Sequence, residues 1–417
     1  MGSLVRFQYR PERHGFFLLL ALTGLLASCG QSPAVNTSKR AELFSLSYGS
    51  FEDEINLFTL PGRSDVNTHI TMRDGFFYIS NGAQKKVMHL NSYGDLLAVY
   101  YNPENNPRPA FATDPEGEDG YPGGELSTQK AIPYPFENPG ALAADSDKNI
   151  YVVDTLPPER IDRDAAGNLR LSQVVLRFSG EGVFMDYLGQ RGPGGMPFPW
   201  IQNIYTTKNN ELVVVCRTNT GMNVYWFSSN GFLLYMLPIE KAALPNLTGS
   251  PGSVYLSLEQ IVPDTTLRRL YLKIDYYTSV IDPASKVQSG IEYAGAYLCP
   301  MDVPTGDFLA PIAVPPFESA GDGNGSPRPI TYDLLGLTDS GWFFFSAADS
   351  GGYSLQMLHP RDQTVLKRHL DVDTAALAYY SFALSEQGIL SALLAEKDGA
   401  KIVWWRTDNV IDALLKK

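Results

Sequence analysis

The chain has 417 residues, of which 44% are hydrophobic and 19% are charged, a composition typical of globular proteins and unlike that of disordered or coiled-coil chains. Its 37 glycines and 29 prolines argue against an architecture built from long helices. Acidic residues outnumber basic residues by 45 to 33. The chain is therefore a poor candidate for non-specific binding to phosphate backbones, and no nucleic-acid partner is expected.

The N-terminal residues have the pattern of a targeting signal. A segment with three arginines precedes an apolar stretch at residues 15–28, which is too short to span a bilayer and is typical of a signal peptide. The stretch ends in Leu26-Ala27-Ser28-Cys29, which resembles the lipobox of bacterial lipoproteins. The resemblance implies cleavage before Cys29 and a membrane anchor through lipid on Cys29. Gly30 stands where lipoproteins of the inner membrane carry Asp, which favours the outer membrane, facing either the periplasm or the cell surface.

This signal divides the chain into three parts. Residues 1–28 are the signal peptide, residues 29–41 are the lipidated cysteine with a flexible polar tether, and residues 42–417 form one folded domain. The two other cysteines, Cys216 and Cys299, each end an apolar, strand-like run. Because they fall in different repeats, we expect two buried free thiols rather than a disulfide.

Beyond residue 42 the chain consists of short apolar runs separated by turn signals, which indicates an all-β fold. A unit of four strands recurs along it. The units span residues 69–101, 141–188, 202–237, 254–312, 332–370 and 381–406. Such units cannot bury their faces alone but can do so when stacked around an axis, which predicts a six-bladed β-propeller. Another all-β arrangement, such as two sandwiches, is the alternative.

The sixth unit has only three clear strands, at residues 381–384, 388–394 and 401–406. Two segments with a β pattern, residues 42–48 and 55–60, precede the first unit. We expect one of them to pair into the last blade as its fourth strand, because that closes the ring and removes an exposed sheet edge. A ring closed in this way is expected to be a monomer.

The second unit carries residues that resemble an NHL repeat. The runs NPGALAAD at residues 138–145 and NIYVVD at residues 149–154 are similar to that family's pattern of P-x-G-I-A-x-D followed by G-N-I-Y-V-A-D. The other units match only in outline. The resemblance implies a six-bladed, NHL-like propeller.

The turns between the strands fall into two sets. Turns after first and third strands are short, whereas every long insertion follows a second or a fourth strand. In a propeller these two sets lie on opposite faces, so we predict a trimmed face and an elaborated face; long insertions in a compact domain are typical of functional surfaces. The insertions occupy residues 102–136, 155–172, 240–252, 278–292 and 315–329.

Aromatic and arginine side chains are the usual anchors of protein interfaces. On the elaborated face we therefore predict a protein partner that contacts Tyr121, Arg160, Arg191 and Trp200. The acidic run at residues 114–120 has the carboxylate density of a Ca²⁺ loop but not the spacing of an EF-hand, so a solvated acidic loop is favoured.

Sequence motifs for catalysis are absent: the chain has no H-x-x-x-H pair, no G-x-S-x-G elbow and no phosphate-binding glycine loop. Six-bladed lyases and lactonases hold a metal at the propeller axis with side chains from separate inner strands. The inner-strand candidates here are His69, Asn203, Glu259, Asp333 and Ser381. The favoured function is a non-enzymatic binding or scaffolding propeller without metal or cofactor. A metal-dependent hydrolase or lyase and a surface-exposed adhesin are the alternatives.

Overall fold

The computed structural model describes residues 36–57, 66–112, 128–165, 167–247, 254–318, 329–349 and 351–415. The compact unit is Thr37–Lys417, and Asn36 is the one described residue of the preceding segment, Met1–Asn36. The predicted signal peptide and Cys29 therefore lie outside the described residues. In the described part of the chain, no helix has the length and apolar character that crossing a membrane requires.

The described chain is mostly β, as the sequence predicts. Two strands precede the first blade, β1 (Thr37–Ser38) and β2 (Ala41–Leu46). Blade one contains β3 (Thr68–Arg73), β4 (Phe76–Asn81), β5 (Lys86–Leu90), β6 (Leu96–Tyr101) and β7 (Lys130–Pro133). Blade two begins with β8 (Leu142–Ala144) and β9 (Ile150–Thr155), continues through a small hairpin of β10 (Asp162–Arg163) and β11 (Arg170–Leu171), and ends with β12 (Gln173–Phe178), β13 (Phe184–Gly189) and β14 (Gly192–Pro193).

The four remaining blades follow in chain order. Blade three contains β15 (Ile201–Thr206), β16 (Leu212–Arg217), β17 (Gly221–Phe227) and β18 (Leu233–Glu240). Blade four contains β19 (Val254–Pro263), β20 (Arg269–Ile281), β21 (Gln288–Asp302) and β22 (Ile312–Val314), and is followed by the short pair β23 (Phe317–Glu318) and β24 (Pro329–Ile330). Blade five contains β25 (Asp333–Leu337), β26 (Phe343–Asp349), β27 (Gly352–His359) and β28 (Thr364–Asp371). Blade six contains β29 (Tyr379–Leu384), β30 (Leu390–Glu396) and β31 (Gly399–Trp405).

Among the described residues the helical segments are short. They are four 3₁₀ turns, at Gly82–Gln84, Pro158–Arg160, Lys241–Ala243 and Thr374–Ala376, and the α-helix α1 (Thr407–Leu415), which follows the last strand. Helix α1 was not predicted from the sequence. Its Thr407 hydroxyl donates a hydrogen bond to the Gly388 carbonyl, and Ile411 is buried against blades five and six.

The blades are arranged as a closed ring. Inner strands of successive blades lie side by side: β3 contacts β8 and β29, β8 contacts β15, and β25 contacts β19 and β29. The buried side chains form six clusters among the described residues, and each cluster lies between two successive blades, including one between blade six and blade one. The hydrophobic core is therefore a ring of inter-blade layers around an axis, which confirms the predicted six-bladed β-propeller.

An N-terminal strand closes the ring, as predicted. β2 pairs antiparallel with β31, from Ala41 opposite Trp404 to Leu46 opposite Ala400, and becomes the fourth strand of blade six. Thr37–Ser38 pairs in parallel with β28 of blade five, so the compact unit begins at Thr37. The sequence did not indicate β1, because two residues are too few to show a hydrophobic periodicity. They pair through the backbone, since the unpaired N–H and C=O groups of an outer strand can bond to any extended segment.

Blade four differs most from the sequence prediction. The expected insertion at residues 278–292 is instead the continuation of β20 and β21, which pair as far as Ile281 opposite Gln288. Most side chains in this part of the hairpin are exposed, so both faces are solvated and the alternation that marks a half-buried strand is missing. Cys216 and Cys299 are buried free thiols, as predicted.

Candidate binding site at the propeller axis

The two ends of the central channel are formed by opposite ends of the inner strands. Each inner strand starts at the elaborated face and ends at the trimmed face, because the connection from the preceding blade enters at the elaborated face. Residues near the start of β3, β15, β25 and β29 therefore surround one mouth of the channel, and residues near their ends surround the other. The chemistry of the two mouths is different.

The mouth on the trimmed face is closed by Arg73. Its Nη1 atom lies 2.5 Å from Glu386 Oε1 and 3.3 Å from the Ala144 carbonyl oxygen. The same atom is 3.4 Å from Thr206 Oγ1, so one guanidinium links four blades. Burial raises the pKa of Glu386, and the positive charge of Arg73 opposes this shift. A small cavity of about 130 Å³ remains beside the pair.

The mouth on the elaborated face is a basin, which we call the axial basin. Its volume is about 390 Å³. Its walls carry hydrogen-bonding groups and aromatic rings from blades three, four, five and six: Asn203, Tyr205, Gln260, Asp333, Ser346, Tyr353, Tyr380 and Ser381. Concave sites that combine apolar surface with a few convergent polar groups are typical ligand sites.

Three aromatic rings form one wall of the axial basin. The ring centroid of Tyr353 lies 5.2 Å from that of Tyr380 and 5.1 Å from that of Phe382. Tyr353 is buried, whereas Tyr380 is 44% exposed. The two tyrosines also line a second cavity of about 620 Å³ with Thr374, Leu377, Ala378 and Tyr379. The axial basin therefore adjoins a radial groove between blades five and six.

Two carboxylates come from blades four and five. Asp333 is exposed and lines the axial basin, and Glu259 is half-buried at a bulge of β19. Below them Asp275 is buried with Lys273, whose Nζ lies 2.8 Å from Asp275 Oδ2. Burial raises the pKa of Asp275; the charge of Lys273 opposes this shift, and the charges of Glu259 and Asp333 add to it.

The structure brings together some of the predicted inner-strand residues. Asn203, Asp333 and Ser381 line the axial basin. His69 lies on the same side of β3 as the channel residue Thr71, and its Nε2 is 3.1 Å from Asn67 Oδ1. Burial lowers the pKa of His69 to about 4, so the imidazole is neutral. Among the described residues, no group of three or more His, Cys, Asp or Glu side chains is placed to hold a metal ion.

The predicted rim residues do not form a single cluster. Arg160 is exposed in the connection after β9, with its guanidinium 5.5 Å from the centre of the Tyr187 ring. Arg191 is exposed between β13 and β14. Tyr121 lies outside the described residues.

Trp200 precedes β15 and is 56% exposed rather than packed between blades. The guanidinium of Arg217 lies 6.0 Å from the Trp200 ring centre, and Arg217 Nη2 is 3.4 Å from the Glu259 carbonyl oxygen. Arg217, Gln260 and Tyr380 were not among the residues predicted from the sequence. A signal was available for Arg217 and Tyr380, because each lies at the elaborated-face end of a second or an inner strand.

No protein-family model matches the chain, and no curated protein matches its sequence. Solved structures do resemble it. A streptogramin B lyase shares 13% identity with a TM-score of 0.37, the match covering 89% of this chain and 99% of the lyase. A gluconolactonase from Xanthomonas campestris shares 10% identity with a TM-score of 0.38, covering 90% and 98%. An oligogalacturonate lyase in complex with manganese shares 10% identity with a TM-score of 0.40, covering 84% and 80%.

Proteins similar in structure to this chain thus include enzymes. These TM-scores are below 0.5, and the fold assignment depends on the strand pairing and on the ring of inter-blade clusters. The resemblance of the second blade to an NHL repeat stays a prediction from the sequence.

Proposed function

We propose that the protein is a non-enzymatic binding or scaffolding propeller that holds a partner on its elaborated face, over the axial basin. The observation that carries this proposal is the asymmetry of the channel. One mouth is closed by the Arg73–Glu386 pair, and the other widens into a basin of about 390 Å³ beside a groove. At the channel axis the wider concave surface therefore lies on the elaborated face. The trimmed face has a cavity of about 630 Å³ between blades four and five, lined by the turns of those blades.

The rim of this face supplies further contact groups. Trp200 presents its indole to solvent beside Arg217, and an exposed tryptophan next to an arginine is a typical anchor of a protein interface. Arg160 and Arg191 extend the same face over blade two. The proposal keeps Arg160, Arg191 and Trp200 as contact residues. Trp200 is the principal anchor, because its exposed ring lies beside the guanidinium of Arg217.

Membrane attachment is the second part of the proposal. The lipobox at Leu26-Ala27-Ser28-Cys29 places lipid on Cys29 and the propeller at the surface of a bacterial membrane, with the outer membrane favoured. Labelling cells with a fatty acid tests this part: the wild-type protein should carry label and Cys29→Ala should not. Equal labelling of both proteins would refute the anchor without affecting the propeller.

Site-specific photo-crosslinking tests the binding face. A photoreactive amino acid at position 200, on the elaborated face, should give a discrete crosslinked product in the cell of origin. The matched control is position 93, because Tyr93 is an aromatic residue that is 84% exposed in a turn of the trimmed face. Products from position 93 with none from positions 160, 191 and 200 would place the partner on the trimmed face and overturn the proposal.

A further inference from the structure

We propose that the axial basin recognises an organic cation, a guanidinium or ammonium group, and that the partner presents this group to it. The inference deepens the proposed function and rests on it. Three independent features of the described residues support it: an aromatic wall, an unpaired carboxylate in the lining of the same basin, and an adjoining groove for the chain that bears the cation.

The aromatic wall has the chemistry that attracts cations. The face of a tyrosine or phenylalanine ring carries negative charge density, and a cation over such a face gains about 0.5–2 kcal/mol depending on its desolvation. Tyr353, Tyr380 and Phe382 form a cluster with centroids 5.1–5.6 Å apart. Tyr380 is the member that remains 44% exposed, so a ring surface is available to a ligand while its neighbours hold it in place.

The carboxylates provide the opposite charge. Neither Asp333 nor Glu259 forms an ion pair within the described residues, and both lie close enough to Asp275 to influence it. The nearby Lys273 is already paired with Asp275, and Arg73 is paired with Glu386 at the other end of the channel. Asp333 is therefore a carboxylate in the lining of the basin that has no ion-pair partner among the described residues. A positive group that enters the basin meets both a carboxylate and an aromatic ring, the combination used for cation recognition.

The radial groove explains how a larger ligand reaches the basin. It runs past Thr374, Leu377 and Ala378 and shares the walls of Tyr353 and Tyr380 with the axial basin. An extended segment in the groove would place one long side chain over the channel. The recognised group is then the head of an arginine or lysine side chain, or of a free amine of similar shape.

Calorimetric titration of the purified protein with matched probes tests the inference. The probes are n-butylguanidinium, n-butylammonium and the uncharged isostere n-butylurea. We expect the two cations to bind at least about tenfold more tightly than n-butylurea, a difference of about 1.4 kcal/mol. Asp333→Asn and Tyr380→Ala should each weaken n-butylguanidinium binding about five- to tenfold, whereas Tyr380→Phe should retain it because the ring remains.

The control variant is Glu181→Gln, which removes an exposed carboxylate from a turn of the trimmed face and should leave binding unchanged. Equal affinity for n-butylurea, or unchanged binding in both Asp333→Asn and Tyr380→Ala, would overturn the inference. Crosslinking at position 200 is measured separately, so the proposed function can stand when the cation inference falls. A capped Gly-Arg-Gly peptide that binds more tightly than n-butylguanidinium identifies a side chain as the source, and weaker binding of the peptide identifies a free amine.

Discussion

On the trimmed face most turns are completed by hydrogen bonds within the turn, whereas on the elaborated face the long connections are held by side chains that reach out from the sheets. Asp145 illustrates the first case: its carboxylate accepts hydrogen bonds from the backbone N–H groups of Asp147 and Asn149 within the same turn. Turns of this kind recur at Asn91, Ser179, Thr207, Ser228, Asp264, Asp302, Thr338, Asp362 and Ser385.

On the elaborated face, side chains of the strands donate hydrogen bonds to backbone carbonyls in connections that are distant in sequence. Lys86 Nζ donates to the Phe51 carbonyl at 2.5 Å, and Tyr276 and Gln356 donate in the same way to the carbonyls of Pro245 and Pro315. Burial lowers the pKa of Lys86 to about 8, and the nearby charge of Glu54 opposes this shift. Because these contacts fix only isolated points of each connection, the rest of the connection is available to form a binding surface.

The largest expected effect concerns β2, which closes the ring and so supports the turns and connections of both faces. Deleting residues 41–46 removes β2, exposes the edge of β31 and withdraws Leu46 from the core between blades six and one. We expect a loss of more than about 5 kcal/mol in the free energy of unfolding. Urea denaturation followed by tryptophan fluorescence measures it.

A matched variant distinguishes the loss of ring closure by β2 from a general effect of changing the N-terminal residues. Thr37→Gly with Ser38→Gly weakens only the two-residue strand on blade five, and its free energy of unfolding should change by less than about 1 kcal/mol. Deletion of residues 41–46 with no more effect than this double substitution would contradict closure by β2.

The second prediction concerns Asp154, which fixes the entry of the chain into blade two on the elaborated face. Its carboxylate accepts hydrogen bonds from the N–H groups of Glu137, Asn138 and Thr155. Burial nevertheless raises the pKa of Asp154 to about 6 from the ordinary value of 3.8. The native state therefore keeps this proton over a range where the unfolded chain releases it, so Asp154 makes the free energy of unfolding fall as the pH rises from about 4 to about 6.

The size of that fall is about 3 kcal/mol. Denaturation of the wild type and of Asp154→Asn between pH 4 and pH 7 measures it, and the variant should lack this part of the slope. The same substitution at the exposed Asp398 serves as the control and should leave the wild-type slope. Identical slopes in the wild type and Asp154→Asn would show that burial does not shift this carboxyl.

The third prediction concerns the closed mouth on the trimmed face. Arg73→Met leaves the carboxylate of Glu386 without its partner in a largely buried position, and we expect a loss of about 2 kcal/mol in the free energy of unfolding. Adding Glu386→Gln should restore part of this loss, because the unpaired charge is removed. A double variant no more stable than Arg73→Met alone would show that the guanidinium acts through Ala144 and Thr206 and not through the ion pair.

The sequence predicted the fold because the signals are local. Short turns with Asp, Asn, Ser or Thr followed by Gly mark the trimmed face in every blade, and the apolar second strands between them fix the spacing of the units. The sixth unit showed only three strand-like runs instead of four. Closing the ring requires a fourth strand, which the N-terminal segment supplies.

The axial basin was only partly predictable, because it depends on contacts between distant blades. Asn203, Asp333 and Ser381 were found as polar residues on inner strands. Tyr353 and Tyr380 were missed, since aromatic residues in strands are ordinarily read as core. The extended hairpin of blade four was missed because its exposed strands have no alternation of apolar and polar residues.

The smallest expected effect concerns the insertion after blade one, whose two ends are part of the fold. Replacing all of residues 102–136 by a Gly-Ser link would remove β7, which pairs in parallel with β6, and Phe136, which is fully buried between blades one and two. The hydrogen bond from the Asn102 side chain to the Phe136 carbonyl would be removed as well. The link should therefore replace only residues 113–127, between the attached ends at Ala112 and Thr128.

We expect that replacement to change the free energy of unfolding by less than about 1 kcal/mol, because loop closure depends only weakly on loop length. It should weaken the crosslink at position 200 if residues 113–127, which include Tyr121, contact the partner. The informative comparison is a second variant in which Phe136→Ala leaves the insertion in place and creates a cavity in the core, at a cost of about 3 kcal/mol. A large loss of stability in the first variant and a small loss in the second would show that the insertion is held by residues 113–127 and not by β7 and Phe136.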